Sequence, residues 1–374
     1  MFDLRKQTIL LSLAGSRCYG IHTESSDVDV KGVAIPPKNF LLGFVNRFEQ
    51  ADGPAHIALF SDLLTAEERS VVQNTKLEGA IYELRKFLDL ACQANPNILD
   101  LLFCRDEEVR LWTPAGRRLR ENAHRMISAK AKHTFSGYAT SQLKRIETHR
   151  RWLLDPPDHP PARSEFGLPE RTVIPADQLA AAQAAIQKQL DGWEVDYSGV
   201  EEPVKIDLMG RIAKMLTEVQ LYADERWWSA GRSIGYEENF LVLLDCERRY
   251  KNARTNWEQY QSWKNNRNQD RAALEAKYGY DTKHGAHLYR LMKMCREILT
   301  TGQVRVWRGD IDRELILGIR RGEWSYDSLV TWARAEDQAL TEIYDQKAYV
   351  VPHQPDRLAV DRLCVELIEE VWRG

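Results

Sequence analysis

A short apolar run that ends in a glycine and a serine is the feature that most constrains the fold of this chain. Thr8 to Leu13 is rich in residues that favour β-structure and is too short for an ordinary helix, which predicts a buried strand. The strand should end at Gly15 and Ser16, where a glycine lets the backbone approach a ligand closely and a serine can cap a following helix. The free amides and the hydroxyl of such a turn can face an anion such as a triphosphate.

Two aspartates that alternate with valines follow a short polar stretch. In a strand, this alternation places Asp27 and Asp29 on one face and Val28 and Val30 on the other, toward a core. Two neighbouring carboxylates repel each other unless a cation lies between them, and Mg²⁺ prefers such hard oxygen ligands together with substrate phosphates. Asp-x-Asp alone is a weak signal and is more often an exposed strand with solvated acids. Together with the Gly-Ser turn upstream, the pair predicts a metal and phosphate site.

These residues carry a family resemblance. Ala14-Gly15-Ser16 and Asp27-Val28-Asp29 resemble the hG[GS]…Dh[DE]h signature of the DNA polymerase β-like nucleotidyltransferase superfamily. The fuller string resembles the bacterial and phage branch described as the RNA repair pathway DNA polymerase β family. Its further elements are Tyr19-Gly20, Ser26-Asp27 and Lys31-Gly32. Other blocks of similarity lie at residues 81–87, 95–102, 281–288 and 319–323.

The resemblance implies a third carboxylate on a later strand of the same sheet, and Glu78 is the position that matches best. An aspartate is commoner there. A glutamate could still reach a metal or accept the proton of an attacking hydroxyl, since either role needs only a carboxylate within hydrogen-bond reach. The alternative is an ordinary surface glutamate.

A helical block near the C-terminal end offers cations for phosphate contact. Lys283, His287 and Arg290 share one face because of their i, i+4 and i+3 spacing. Asp281 is best interpreted as a helix cap, and His284 as a core histidine or a substrate contact. A zinc site from His284 and His287 is disfavoured, because no further ligands at a matched spacing follow in the sequence.

Composition favours a cytoplasmic enzyme. The chain has 374 residues, enough for two domains, and 43% apolar with 29% charged residues is typical of a soluble globular protein. The apolar runs are too short to span a bilayer, and the first residues lack the pattern of a signal peptide. We therefore expect no membrane association. The six cysteines have no Cys-x-x-Cys spacing, which argues against a zinc module or a disulfide framework.

The net charge of −3 argues against indiscriminate binding to nucleic acid, but the charge is unevenly distributed. From Arg105 to Trp152 there are twelve basic residues and five acids, with aromatic side chains between them. This basic segment could form a groove for a nucleic-acid backbone or hold a triphosphate. A solvated helix face explains the same composition equally well.

The predicted fold class is α+β, with a small mixed β-sheet domain followed by a mainly α-helical domain; the family resemblance implies a polymerase β-like palm for the sheet. We predict a nucleotidyltransferase catalytic domain over residues 1–110, with an insertion at about 40–76, and a mainly helical domain over residues 111–374. A proline-rich loop is expected at about 155–175. Predicted helices cover residues 96–103, 179–190, 206–223, 237–264, 284–300, 326–345 and 356–372.

The predicted activity is transfer of a nucleoside monophosphate from a nucleoside triphosphate to an acceptor hydroxyl, with release of pyrophosphate. Gly15 and Ser16 would hold the β and γ phosphates, and Asp27, Asp29 and Glu78 would bind Mg²⁺ or Mn²⁺. Cationic side chains would contact the phosphates or stabilise developing charge: Arg17, Lys31, Lys283 and His287. The named family branch implies RNA repair, so an RNA 3′ end is the favoured acceptor. The alternatives are a protein AMP-transferase of a toxin-antitoxin or defence type and an inactive RNA-binding relative.

Overall fold

The structure, a computed structural model, describes residues 2–24, 26–172, 174–192, 223–266 and 269–373. The helix that the sequence predicts over residues 206–223 lies outside the described residues, except for Ala223 at its end.

A five-stranded mixed sheet forms the N-terminal part of the chain. Its strands are β1 (Thr8–Ala14), β2 (Val28–Ala34), β3 (Gln50–Ala51), β4 (Leu77–Glu83) and β5 (Val109–Trp112). Their order across the sheet is β3-β4-β2-β1-β5, with β2 and β4 parallel and the other neighbouring pairs antiparallel. All seven residues of β1 are buried. The strand predicted over Thr8 to Leu13 is therefore confirmed, and it lies between two neighbours in the sheet.

Helices account for most of the other described residues. They are α1 (Leu4–Gln7), α2 (Gly15–Cys18), α3 (Lys38–Leu41), α4 (Pro54–Ile57), α5 (Ala66–Val72), α6 (Leu84–Cys92), α7 (Pro96–Phe103), α8 (Pro114–Glu121), α9 (Ala131–Leu154), α10 (Ala176–Gly192), α11 (Ala223–Ser233), α12 (Glu238–Asn266), α13 (Gln269–Tyr278), α14 (Thr282–Thr301), α15 (Arg313–Arg320), α16 (Tyr326–Asp345) and α17 (Arg357–Arg373). The predicted helices within the described residues are all present, with ends that differ by at most three residues.

Side-chain caps explain where two of these helices begin. The Asn95 side chain accepts a hydrogen bond from the Asn97 amide at 3.0 Å, with Pro96 at the first helical position of α7. Asp281 caps α14, since its Oδ1 atom accepts from the amides of Lys283 and His284 at 2.9 and 3.0 Å. The cap at Asp281 agrees with the sequence analysis, and α7 begins at the predicted residue.

The sheet separates two apolar clusters. On one face, Leu10 and Val33 pack with the helices that follow in the sequence and with α14. On the other face, Val28, Val30 and Ile81 pack with side chains from the polar stretch after Phe40. The alternation along β2 thus directs Val28 and Val30 into a core and leaves Asp29 on the opposite face of the sheet.

The chain divides into two compact units, Met1–Leu154 with Gln269–Gly374, and Asp155–Asn268. The second unit has its own apolar core, formed by Ala182, Ile186, Trp227, Ala230, Leu241 and Leu244. A buried ion pair joins Arg163 to Glu247 within that unit at 2.5 Å.

The segments predicted to be irregular contain short elements. Residues 40–76 include β3, α4, α5 and a 3₁₀ helix at Ala58–Leu63, whose apolar side chains cover one face of the sheet. The described residues of the predicted loop, 155–172 and 174–175, are irregular apart from a 3₁₀ turn at Arg163–Phe166. The boundary at residue 110 between a catalytic and a helical domain stays a prediction.

The α+β class is confirmed: a mixed sheet in the N-terminal region precedes a mostly helical remainder. Among the described helices, none combines the length and the apolarity needed to cross a membrane.

A buried arginine offers a test of this packing. Arg308 is fully buried and donates to Glu297 at 2.8 Å and to Asp312 at 2.6 Å. The change Arg308→Met leaves two largely buried carboxylates without their counter-charge, so we expect the free energy of unfolding to fall by about 3 kcal/mol. Urea unfolding followed by tryptophan fluorescence measures the difference. Arg305→Met is the matched control, because Arg305 is exposed and donates only to Gln303 at 3.0 Å. A loss of equal size in both variants would contradict the assigned role.

Candidate active site

The turn after β1 lies directly against one of the two aspartates. Ala14 pairs with Asp29 in the sheet, and Gly15 follows with a φ angle of +58°. A Cβ atom at position 15 would overlap the Asp29 carboxylate. Both the left-handed backbone and this close approach require glycine. The expectation that Ser16 caps the next helix is wrong, since α2 begins at Gly15 and its N-cap residue is Ala14.

The segment before β2 positions Asp27. It lies one residue before the strand and is exposed, and its Oδ1 atom accepts from the Lys76 amide at 3.3 Å. Arg17 is 7% exposed and donates to the backbone carbonyls of Ser26 and Asp27, each at 3.3 Å. Arg17 therefore holds the chain that carries Asp27, and its predicted contact with phosphate stays a prediction.

Glu78 is the direct neighbour of Asp29 on the parallel strand β4. Residues in register on adjacent strands point to the same face, so the sheet brings these two carboxylates together although 49 positions separate them in the sequence (78 − 29). The Glu78 side chain is 59% exposed and pairs with Lys76 at 3.9 Å. Within the described ranges, Asp27, Asp29 and Glu78 do not form a set with ligand atoms all within 4.8 Å of one another.

Like charges perturb Asp29. Burial raises the pKa of its carboxyl, the Asp27 carboxylate raises it further, and Glu78 adds to the same effect, while Lys31 and Lys283 lower it. The cost of ionising Asp29 thus comes from desolvation and from two neighbouring acids. A cation bound to these oxygens would remove that cost, and hard carboxylate oxygens are the donors that Mg²⁺ takes.

The polar face of α14 supplies positive charge to the same face of the sheet. Lys283 is exposed, His287 is half-buried and Arg290 is buried, so the face runs from solvent into the protein. Lys31 donates from its ammonium group to the Asn97 carbonyl at 2.9 Å, and burial lowers its pKa. Lys31 and Lys283 are close enough to lower the pKa of Asp29, and the same two lysines also lower the pKa of His287.

A buried polar group behind the turn was not assigned by sequence reasoning. The Tyr19 hydroxyl donates to Asp100, and the Arg290 guanidinium lies 3.5 Å from the centroid of the Tyr19 ring. Tyr19 and Asp100 both stand in the blocks of family resemblance, and Arg290 lies on the predicted cationic face. The sequence therefore marked each of these residues, but only the folded structure shows that Tyr19 contacts Asp100 and Arg290.

Three donors from the C-terminal part fix the chain just after the turn. The Arg308 amide donates to the Tyr19 carbonyl at 2.8 Å. The side chains of Arg313 and Arg320 donate to the carbonyls of Gly20 and Ile21 at 2.9 and 3.0 Å. The turn is therefore held from a part of the sequence nearly 300 residues away.

Four arginines of the basic segment form ion pairs. Arg105, Arg110, Arg118 and Arg120 pair with Glu108, Glu68, Glu366 and Asp106, respectively. Lys144 and Arg145 on α9 are exposed. For the paired arginines, the structure favours the interpretation as structural residues over a continuous nucleic-acid groove.

The contact between Gly15 and Asp29 yields a stability prediction. Gly15→Ala forces an L-residue into a left-handed conformation and against a carboxylate, so we expect the free energy of unfolding to fall by about 1–3 kcal/mol. Gly137→Ala is the control: it lies in α9 with open space around it, and alanine there should be neutral or stabilising by up to about 1 kcal/mol. Urea unfolding compares the two, and equal effects would refute the contact.

The burial of His287 yields a pH prediction. Desolvation and the nearby Arg290 lower its pKa to about 3, against 6.5 for the free side chain. Between about pH 3 and pH 6.5, the unfolded chain therefore binds a proton at His287 that the folded chain does not bind. As the pH falls through 6.5, His287 thus lowers the free energy of unfolding. We expect the free energy of unfolding of His287→Gln to depend less on pH between 5 and 6, by about 1 kcal/mol per pH unit. Parallel slopes for variant and wild type would contradict this environment.

A comparison with known protein families finds a match that includes the turn after β1 and the five strands. Residues 4–153 match the family model described as the RNA repair pathway DNA polymerase beta family. No curated protein and no solved structure matches the chain. The blocks of resemblance at residues 281–288 and 319–323 lie outside the matched segment, so their assignment stays a prediction. Over residues 4–153 the chain is similar to the RNA repair pathway DNA polymerase beta family, and this similarity suggests a nucleotidyltransferase-like function.

Proposed function

We propose that the protein is a Mg²⁺-dependent nucleotidyltransferase that transfers a nucleoside monophosphate to an RNA 3′ end. The observation that carries the proposal is the crowding at Asp29, where a glycine turn, two further acids and a cationic helix face meet. Mg²⁺ fits this donor set because it prefers carboxylate oxygens and retains phosphate oxygens of a substrate.

Asp27 and Asp29 would hold the metal, with Glu78 as the third carboxylate. A bound Mg²⁺, or Mn²⁺ in its place, supplies charge neutralisation and orients the triphosphate. Glu78 is exposed and pairs with the exposed Lys76 at 3.9 Å, so its side chain can rotate toward Asp29 from the adjacent strand. These assignments rest on the register of the sheet and on the similarity of residues 4–153 to the family.

Gly15 and Ser16 would bind the β and γ phosphates. The absence of a side chain at Gly15 lets the Asp29 carboxylate lie directly against the turn, so a proposed metal ligand is next to the backbone that would face the phosphates. Lys283 on α14 is exposed and can reach a phosphate as a point charge, while Lys31 and His287 lie deeper. With a pKa of about 3, His287 would act as a neutral hydrogen-bonding group.

In the proposed reaction, the acceptor hydroxyl attacks the α-phosphorus. A new bond forms between the acceptor oxygen and the α-phosphorus, and the bond from that phosphorus to the bridging oxygen of the β-phosphate breaks. Pyrophosphate leaves with the electron pair, and the hydroxyl proton passes to a carboxylate, for which Glu78 is the proposed base. Lysine side chains stabilise the charge that develops on the phosphoryl oxygens.

The test of the activity uses α-labelled nucleoside triphosphates, Mg²⁺ and total cellular RNA or protein. We expect Asp27→Asn and Asp29→Asn each to reduce label transfer by more than about a hundredfold, because an amide cannot replace an anionic metal ligand. Asp89→Asn is the matched control, since this exposed aspartate on α6 pairs with Arg357 away from the turn. Full activity of both Asn variants would refute the metal assignment.

The acceptor is identified in the same reaction. Label that enters untreated RNA, but not RNA whose 3′-terminal diol has been oxidised with periodate before the reaction, supports transfer to an RNA 3′ end. Label in protein alone would overturn this acceptor and favour the protein AMP-transferase. Salt-dependent RNA binding without any transfer, unchanged by Asp27→Ala, would identify an inactive RNA-binding relative.

A further inference from the structure

We propose a second cation site, formed by His149, Glu275, Asp281 and His284, that takes a divalent transition metal of the Zn²⁺ type. It lies where α9, α13 and the start of α14 meet and shares no residue with the proposed catalytic site. Sequence reasoning disfavoured zinc at His284 because it looked for ligands close by in the sequence. The fold instead brings a histidine from α9 and a glutamate from α13 to the start of α14.

The ligand atoms are already close. His149, Glu275 and Asp281 each offer one ligand atom, and these atoms all lie within 4.8 Å of one another; within the described part of the chain, no other group of three or more meets this condition. His149 Nδ1 lies 3.3 Å from Glu275 Oε1, and His284 Nε2 lies 3.6 Å from Asp281 Oδ2. Ligands of a tetrahedral Zn²⁺ are about 3.4 Å apart, so His149, Glu275 and Asp281 close on one ion with shifts on the order of 1 Å, while His284 lies outside this group of three and contacts it through Asp281.

Burial and charge favour a divalent ion. Glu275 is 2% exposed and Asp281 is 3% exposed, so two carboxylates lie together in the interior. With neutral imidazoles, the four side chains carry two negative charges, which one divalent cation balances. Two imidazole nitrogens with two carboxylate oxygens suit Zn²⁺ better than Mg²⁺, which takes oxygen ligands and retains its water.

Neighbouring groups orient the ligands in the way that metal sites require. His284 Nδ1 lies 2.7 Å from Oε1 of the buried Gln142, so a proton on Nδ1 leaves the lone pair of Nε2 on the side of Asp281. Asp281 uses Oδ1 to cap α14, which leaves Oδ2 as the ligand atom. The Trp152 ring stacks on His149, with 5.6 Å between the ring centroids.

The proposed role is positional. A metal here would join α9 and α13 to the first turn of α14, and the same turn carries Lys283, whose charge acts on Asp29. Fixing the start of α14 would therefore fix the cationic face that meets β2. This inference stands apart from the proposed activity, since it concerns a different set of donors.

The test measures zinc binding in the background Asp27→Asn/Asp29→Asn, which removes the other carboxylate site. The full-length protein is stripped with a chelator and titrated with Zn²⁺ by calorimetry, and Co²⁺ is added in a parallel sample to record visible d–d absorption. We expect one Zn²⁺ per chain, a raised melting temperature and the spectrum of a four-coordinate Co²⁺ with nitrogen and oxygen ligands. Absence of binding at micromolar Zn²⁺ would overturn the proposal. The four proposed ligands are intact in this protein, so a misfolded site variant cannot explain that result.

Variants then locate the ion. In the same background, His149→Gln and His284→Gln should each weaken zinc binding by at least about tenfold, with helical content checked by circular dichroism. His159→Gln is the matched control, because His159 is exposed and pairs with Glu165 in the proline-rich loop. Zinc binding that is unchanged in His149→Gln and His284→Gln would place the ion elsewhere and refute the site.

Discussion

The approach of Gly15 to the Asp29 carboxylate constrains everything around the proposed active site. It requires β1 to end where β2 begins its pairing, because Ala14 and Asp29 are partners in the sheet. It also holds Asp29 in a crowded position, where burial and the Asp27 and Glu78 carboxylates raise its pKa. A folded chain tolerates such repulsion when an opposing charge is close, and Lys31 and Lys283 supply part of it. The carboxylates and the cationic helix face are thus two halves of one electrostatic arrangement.

The second half of that arrangement comes from far along the chain. The segment that matches the family ends at residue 153, yet the carbonyls of residues 19–21 accept hydrogen bonds from Arg308, Arg313 and Arg320. Met1–Leu154 and Gln269–Gly374 accordingly form one compact unit. The turn lies within the matched segment, but it is held in place by a part of the protein that the family model does not cover. A fragment restricted to the matched residues would lack these donors, so it would not reproduce the geometry described here.

Local signals predicted local structure well. The β-rich run at Thr8, the cap at Asp281 and the apolar periodicity of the long helices depend on neighbours within a few residues, and each of these elements is present. The nearness of Glu78 to Asp29 followed from a resemblance, and the parallel register supports it. The contacts that the sequence did not predict join residues that are far apart along the chain. Sequence spacing could not show that Tyr19 meets Asp100, or that His149 meets Glu275, because these contacts depend on how whole helices pack. The serine cap failed for a local reason: the left-handed Gly15 already starts the helix.

The two proposed cation sites differ in the chemistry of their donors, and α14 connects them. One set has only carboxylates, which select a hard ion that exchanges with substrate; the other combines imidazoles with buried carboxylates, which retain a softer ion. Asp281 and His284 lie three positions apart on one side of the first turn of α14, while Lys283 and His287 lie four apart on the adjacent side. A helix turn is rigid on this scale, so a displacement of the ligands at His284 displaces Lys283 by a similar distance. Loss of the second ion would therefore move the Lys283 charge and so change the electrostatic environment of Asp29. The two metals need not contact each other for this effect.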